Sequence, residues 1–163
     1  MAYKLNENIL IGQGFTDLST TKKHALGYIV KASDPTYGSG EFIYLKGVAS
    51  CALGSWVTYK TEDGTTALLA ANAIGPVAIA MAACTASYYG WFQISGQAVG
   101  KCLTQMASNA RVWITATAGS VDDASVAGDG VNLAKSAALT VVGSGVTTFE
   151  IHRPWVNDRT SFS

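Results

Sequence analysis

Apolar residues in this chain recur at every second position, in short runs broken by turn signals about every eight to twelve residues. No other feature constrains the fold as tightly, because successive side chains of a β-strand point to opposite faces. A helix would need apolar residues three and four apart. Only residues 104–110 and 128–138 approach that spacing, and each has room for one turn. The alternation predicts strands over residues 27–32, 41–48, 55–60, 65–69, 74–83, 88–95, 97–103, 111–116 and 146–152. Between them lie Pro35-Thr36-Tyr37-Gly38, Glu62-Asp63-Gly64, Ser95-Gly96 and Ala118-Gly119-Ser120. Asp-Gly between two alternating runs is a strong hairpin signal, since the turn requires positive φ. The fold class expected is all-β, a single β-sandwich or barrel, and 163 residues suit one such domain.

Several runs are apolar on both faces. In "SYYGWFQISG", Tyr88, Gly90, Phe92 and Ile94 share one face, and Tyr89, Trp91, Gln93 and Ser95 share the other. In "EFIYLKGV", Phe42, Tyr44 and Val48 oppose Ile43 and Leu45, and in "RVWIT" Trp113 opposes Val112 and Ile114. A sandwich strand facing water is polar on one side. The excess predicts that outer faces are covered by other subunits. Tyr89 and Trp91 admit two readings: aromatics that stack sugars, or aromatics of a protein interface, where these residue types are enriched.

Charge supports the second reading. Asp, Glu, Lys and Arg make up 13 % of the chain, against about 25 % in an average soluble protein. Eleven basic and eleven acidic residues cancel. Nucleic acid as a specific partner is not expected, because phosphate binding needs clustered Lys and Arg. The densest basic spots are Lys22-Lys23 and the pair Arg153 and Arg159. A membrane partner is not expected either. Residues 67–86 have the length of a membrane span, but Asn72, Gly75, Pro76 and Thr85 interrupt a run made mostly of Ala. Two buried strands joined at Gly75-Pro76 are expected there, in a soluble protein.

The search for chemistry yields little. No G-x-S-x-G or H-E-x-x-H occurs. The two histidines, His24 and His152, stand in the two terminal regions, each read as a surface or interface hydrogen-bonder. "GQAVGKC" has one residue too few between its glycines for a P-loop, and Cys102 where Ser or Thr is needed. Asp122, Asp123 and Asp129 do not match the Ca²⁺-loop spacing and read as solvated carboxylates. Cys51, Cys84 and Cys102 read as buried thiols of a reducing cytosol, neither disulfides nor zinc ligands. No enzyme activity, cofactor or metal is expected.

The two ends differ from the middle. Residues 1–26 hold Leu5, Ile9, Ile11 and Phe15 without a clean period, and residues 153–163 place Trp155 and Phe162 where an isolated chain would fray. The organisation expected is an N-terminal arm over 1–26 contacting neighbouring subunits, a core over 27–152, and a C-terminal tail over 153–163. The candidate interface residues are Leu5, Ile9, Ile11, Phe15, Tyr89, Trp91, His152, Arg153, Trp155, Arg159 and Phe162. On this reading, deleting residues 1–20 leaves the isolated core nearly as stable as before.

The ordered set "GEFIYLKGVASCALGSWVTY", "AIGPVAIAMAAC", "YYGWFQISGQAVGKC", "AGSVDDASVAGDGVNLAKSA" and "FEIHRPWV" resembles the head decoration, or capsid cement, proteins of tailed bacteriophages. The resemblance runs from about Gly27 to Val156. It implies a jelly-roll type of β-sandwich or barrel with terminal arms and no catalytic residues. It further implies a protein made in the host cytoplasm that ends on the outer capsid surface of the virion. There it binds the major capsid protein and ties capsomers together. Closed homo-oligomers match the symmetry of such a lattice, and trimers at three-fold positions are expected over dimers at two-folds. The alternative is a carbohydrate-binding β-sandwich on the virion surface that aids host attachment, with Tyr89 and Trp91 gripping glycans.

Overall fold

The computed structural model describes residues 3–5, 12–103, 106–137 and 145–158. Eleven strands run in chain order: β1 (Lys4–Leu5), β2 (Ile29–Asp34), β3 (Gly38–Lys46), β4 (Trp56–Tyr59), β5 (Thr66–Leu68), β6 (Ile74–Ala80), β7 (Tyr89–Lys101), β8 (Arg111–Ile114), β9 (Val121–Asp122), β10 (Gly130–Ser136) and β11 (Val146–Asn157). The described residues contain no helix, and within 106–110, the described part of one helical candidate, the chain makes a turn at 108–109. All named pairings are antiparallel, in one sheet of order β1-β2-β3-β7-β6-β11-β10-β8-β9 that does not close, with β4 joining β5 to β6.

Strand β7 is the centre of the sheet. Its first half pairs with β3 over Lys46↔Tyr89 to Glu41↔Ser95, and with β6 at Ile79↔Gln93 and Ala80↔Phe92. Its second half pairs with β11, from His152↔Ser95 to Val146↔Lys101. The expected hairpin at Ser95-Gly96 is therefore absent, and the two predicted strands are one. Gly96 adopts a positive φ (97°). It uses that freedom to bend a continuous strand, and a Cβ there would lie 2.4 Å from the carbonyl oxygen of Ser39. Opposite the bend, β11 leaves β7 after His152 and joins β6 at Trp155↔Pro76. The backbone turns at Arg153, where φ is 49°.

The predicted junction at Gly75-Pro76 also moves. Both residues lie inside β6, paired with Val156 and Trp155, and the chain turns instead at 70–73, where the Ala73 N–H donates to the carbonyl of Ala70. Proline is tolerated in a strand where its missing N–H is not needed by the ladder. No helix among the described residues is long and apolar enough to cross a membrane. Strand β10, read from sequence as at most a helical turn, pairs with both β8 and β11.

Burial on both faces of β3 and β7 follows from their sequences. Ile43, Leu45, Phe92 and Ile94 face one cluster with Val57, Ala78 and Ala80 of β4 and β6. Phe42, Tyr44 and Trp91 face another with Phe15, Val30 and Met81. A third cluster, around Trp56, Val77, Ile79, Phe149 and Ile151, fills the region under β8 to β11. All three cysteines are buried thiols outside any disulfide, as their sequence context suggests, and burial pushes the Cys84 thiol up to about 12.

Candidate functional site

The aromatic face of β7 is covered by the chain itself. Residues 12–26 run across it, and Trp91 is 1 % exposed. Its ring meets Phe15 at 5.6 Å, His24 at 5.3 Å and Tyr44 at 5.1 Å between centroids. Its indole N–H donates to the carbonyl of Gln13 at 3.1 Å. The Gln13 amide donates to the carbonyls of Asp17 and Tyr89, at 2.8 Å and 3.0 Å, and accepts from the Tyr44 hydroxyl at 2.8 Å. Ser19 and Tyr89 exchange both backbone hydrogen bonds, so the segment is tied to β7 like a short edge strand.

Two expectations change here. Trp91 and Phe15, expected to meet a neighbour, are buried within this chain, at 1 % and 7 % exposure. The reason is that the irregular N-terminal sequence supplies the rings and amides that an outer aromatic face requires. Tyr89 is half-buried, and His24 is part of the same cover, stacked 5.7 Å from Tyr28. Tyr3 closes the far end: its ring lies 4.6 Å from Phe42, and its hydroxyl donates to the carbonyl of Gln97 at 3.0 Å. Burial raises its pKa from 10.0 to about 12. The Gln93 amide clasps the bend from below, donating to the carbonyls of Ser95 and Gln97.

Of the three loop carboxylates read as solvated, Asp129 departs from that expectation, whereas Asp122 and Asp123 stay partly exposed. Asp129 is buried, and its Oδ1 accepts from the backbone N–H of Asn72 at 2.8 Å. Asp123 accepts from the N–H of Ala107 at 2.7 Å. They secure loops, and among the described residues no group of three His, Cys, Asp or Glu side chains is placed to hold a metal ion.

Among the described residues, the two most exposed large apolar side chains lie on the outward face of β6, β11 and β10. Ile74 is 69 % exposed, Leu133 62 % and Trp155 45 %. Register places them together, since Trp155 pairs with Pro76 on one side and Asn132 on the other, while Asn157 pairs with Ile74. Leu133 lies where the β10–β11 register shifts, standing opposite the three β11 residues 152–154, and its φ is 59°. A left-handed backbone at a Leu costs about 1–2 kcal/mol, yet the side chain it presents goes to water. Two ion pairs flank the face. Arg153 Nε donates to Glu41 Oε2 at 2.9 Å, and Lys135 Nζ lies 3.0 Å from Glu150 Oε2.

Of the candidate interface residues, His152, Arg153 and Trp155 are exposed on this side of the molecule. Leu5 lies in β1, paired with Ala32. Ile9, Ile11, Arg159 and Phe162 fall outside the described residues. Sequence reasoning missed Ile74 and Leu133. The first looked like the start of a buried strand, and the second stood in a stretch without period two. Comparison of the chain with family models, with curated proteins and with solved structures finds no match.

Proposed function

We propose that this protein is a virion structural protein of a tailed bacteriophage. It binds the outer surface of the major capsid protein shell and cross-links adjacent capsomers, stabilising the DNA-filled head. The finer architecture that goes with this reading is a jelly-roll type of sandwich whose copies assemble as homo-oligomers. One observation carries the proposal: an outward sheet face bearing Ile74, Trp155 and Leu133, on a chain that is 13 % charged and has no net charge. Exposed large apolar side chains grouped on one face mark a protein contact, and low charge suits a surface meant to be covered. The resemblance of the segments between Gly27 and Val156 to capsid cement proteins supplies the identity of the partner.

A cement protein needs no reaction chemistry. A ligand that binds only the assembled lattice stabilises that lattice by mass action, and many bridging copies add avidity. The glycan-binding alternative needs Tyr89 and Trp91 as a stacking pair, and a Trp91 ring at 1 % exposure offers no face to a sugar. The test is to prepare phage particles with and without the protein. Bare heads are expected to release DNA at lower temperature or on chelator treatment, and added protein restores them. Unchanged capsid stability together with lost host adsorption sinks the proposal and revives the alternative.

A further inference from the structure

We propose that the outward face of β6, β11 and β10 is the contact between two copies of this chain, packed about a two-fold axis with Leu133 and Trp155 at its centre. The proposal rests on reading this face as a protein contact and names its occupant. It departs, at this face, from the sequence-based expectation of trimers at three-fold positions.

Charge complementarity selects a second copy. The centre of the face, with Ile74, Pro76, Trp155, Asn132 and Leu133, carries no charge, so an identical face meets it without like-charge repulsion. One flank carries Glu41 paired with Arg153 and, at 3.9 Å, with Lys31, and the other carries Lys135–Glu150. Both signs are therefore present on each flank, and a two-fold rotation can set a cation of one copy against an anion of the other. An isologous contact requires that self-complementarity. Asn132 and Asn157 flank Trp155 along the strands and across the ladder, where amides can donate and accept with equivalents of themselves.

Leu133 points the same way. A strained, exposed apolar residue lowers the stability of a single chain and gives it nothing in return, whereas in a contact it is an anchor. Asparagine adopts the left-handed region far more readily than leucine. The variant Leu133→Asn therefore separates the two roles. It is expected to leave the folded chain as stable as before, or more stable, while weakening self-association.

Sedimentation velocity on the purified full chain, without capsids, tests this across a concentration series. The expected result is a two-chain species whose dissociation constant rises by about tenfold or more in Leu133→Asn and in Trp155→Ser. Unchanged circular dichroism, and a melting temperature no lower than the wild type's at concentrations where both are single chains, confirm that Leu133→Asn remains folded. A wild-type protein that stays a single chain up to about 1 mM, that forms three-chain species, or whose dimer ignores both substitutions overturns the proposal. Because no capsid enters this experiment, its failure leaves the capsid assay standing, and the reverse also holds.

Discussion

The indole N–H of Trp91 donates to the main-chain carbonyl of Gln13 across 3.1 Å, joining positions 78 residues apart. That bond ties the N-terminal segment to the central strand, so the segment belongs to the fold. Deleting residues 1–20 is expected to expose Trp91, Phe42 and Tyr44 and to lower the melting temperature sharply. Tryptophan emission should shift to the red in the truncated chain. An emission maximum and melting temperature equal to those of the full chain would show that the segment is dispensable.

Phe15 concentrates that contribution, with ring centroids 4.5 Å from Phe42 and 5.6 Å from Trp91. Phe15→Ala is expected to cost about 3–5 kcal/mol in urea unfolding. A loss of under about 1 kcal/mol would mean that the ring is replaced by rearrangement of its neighbours.

Gln13 is buried and uses both ends of its amide. Replacing it by Met keeps the volume but leaves the Tyr44 hydroxyl without its acceptor, at a cost of about 1–3 kcal/mol. Adding Tyr44→Phe should return part of that loss, and a double-mutant cycle measures how much. Strict additivity would show that the two side chains do not depend on each other.

Burial holds the Tyr3 phenol protonated to about pH 12, against an ordinary 10.0. A group whose folded pKa is raised stabilises the fold fully below its unfolded pKa and loses that contribution as pH climbs through the folded one. Stability from the docked Tyr3 ring is therefore constant below pH 10 and declines between 10 and 12. Phenolate absorbance of the wild type minus that of Tyr3→Phe should rise with a midpoint near 12. A midpoint near 10 would mean that Tyr3 is solvated.

At Gly96 any side chain is opposed twice, by a φ of 97° and by the Ser39 carbonyl 2.4 Å from the position of a Cβ. Gly96→Ala is expected to cost at least about 1–3 kcal/mol, whereas Gly27→Ala, with open space around its Cβ position, should cost less. Equal melting temperatures for the two variants would contradict the close packing of β7 on β3 at the bend.

Strands with one clear period were legible in the sequence: β3, β4, β6 and β8 fall within the predicted ranges or overlap them closely. The need to cover Tyr89 and Trp91 was legible too, because alternation alone shows an outer aromatic face. The source of the cover was not, since nothing local in residues 12–26 records that they meet a strand more than seventy positions away. Strand β10 escaped notice for a different reason. The left-handed backbone at Leu133 shifts the parity of "GVNLAKS", so Val131 and Ala134 face the core across an uneven interval. A positive-φ glycine marks a hairpin and a bend equally well, which is why β7 read as two strands. Of the exposed apolar face, only the part contributed by β11 was visible, because Ile74 and Leu133 lie beside it through strand pairing.

The order in which the strands pair with β7 also sets what a ribosome releases. Residues 12–26 emerge long before Trp91, so the cover for the aromatic face is already outside the exit tunnel when that face appears. The second half of β7 has the opposite fate. Its partner, Val146 to His152, is synthesised only after β8, β9 and β10, and until then Ala98 and the neighbouring cluster lack Phe149 and Ile151. A nascent chain halted after β10 would thus be a half-finished sheet with one hydrophobic surface sealed and another open, the species on which chaperones act.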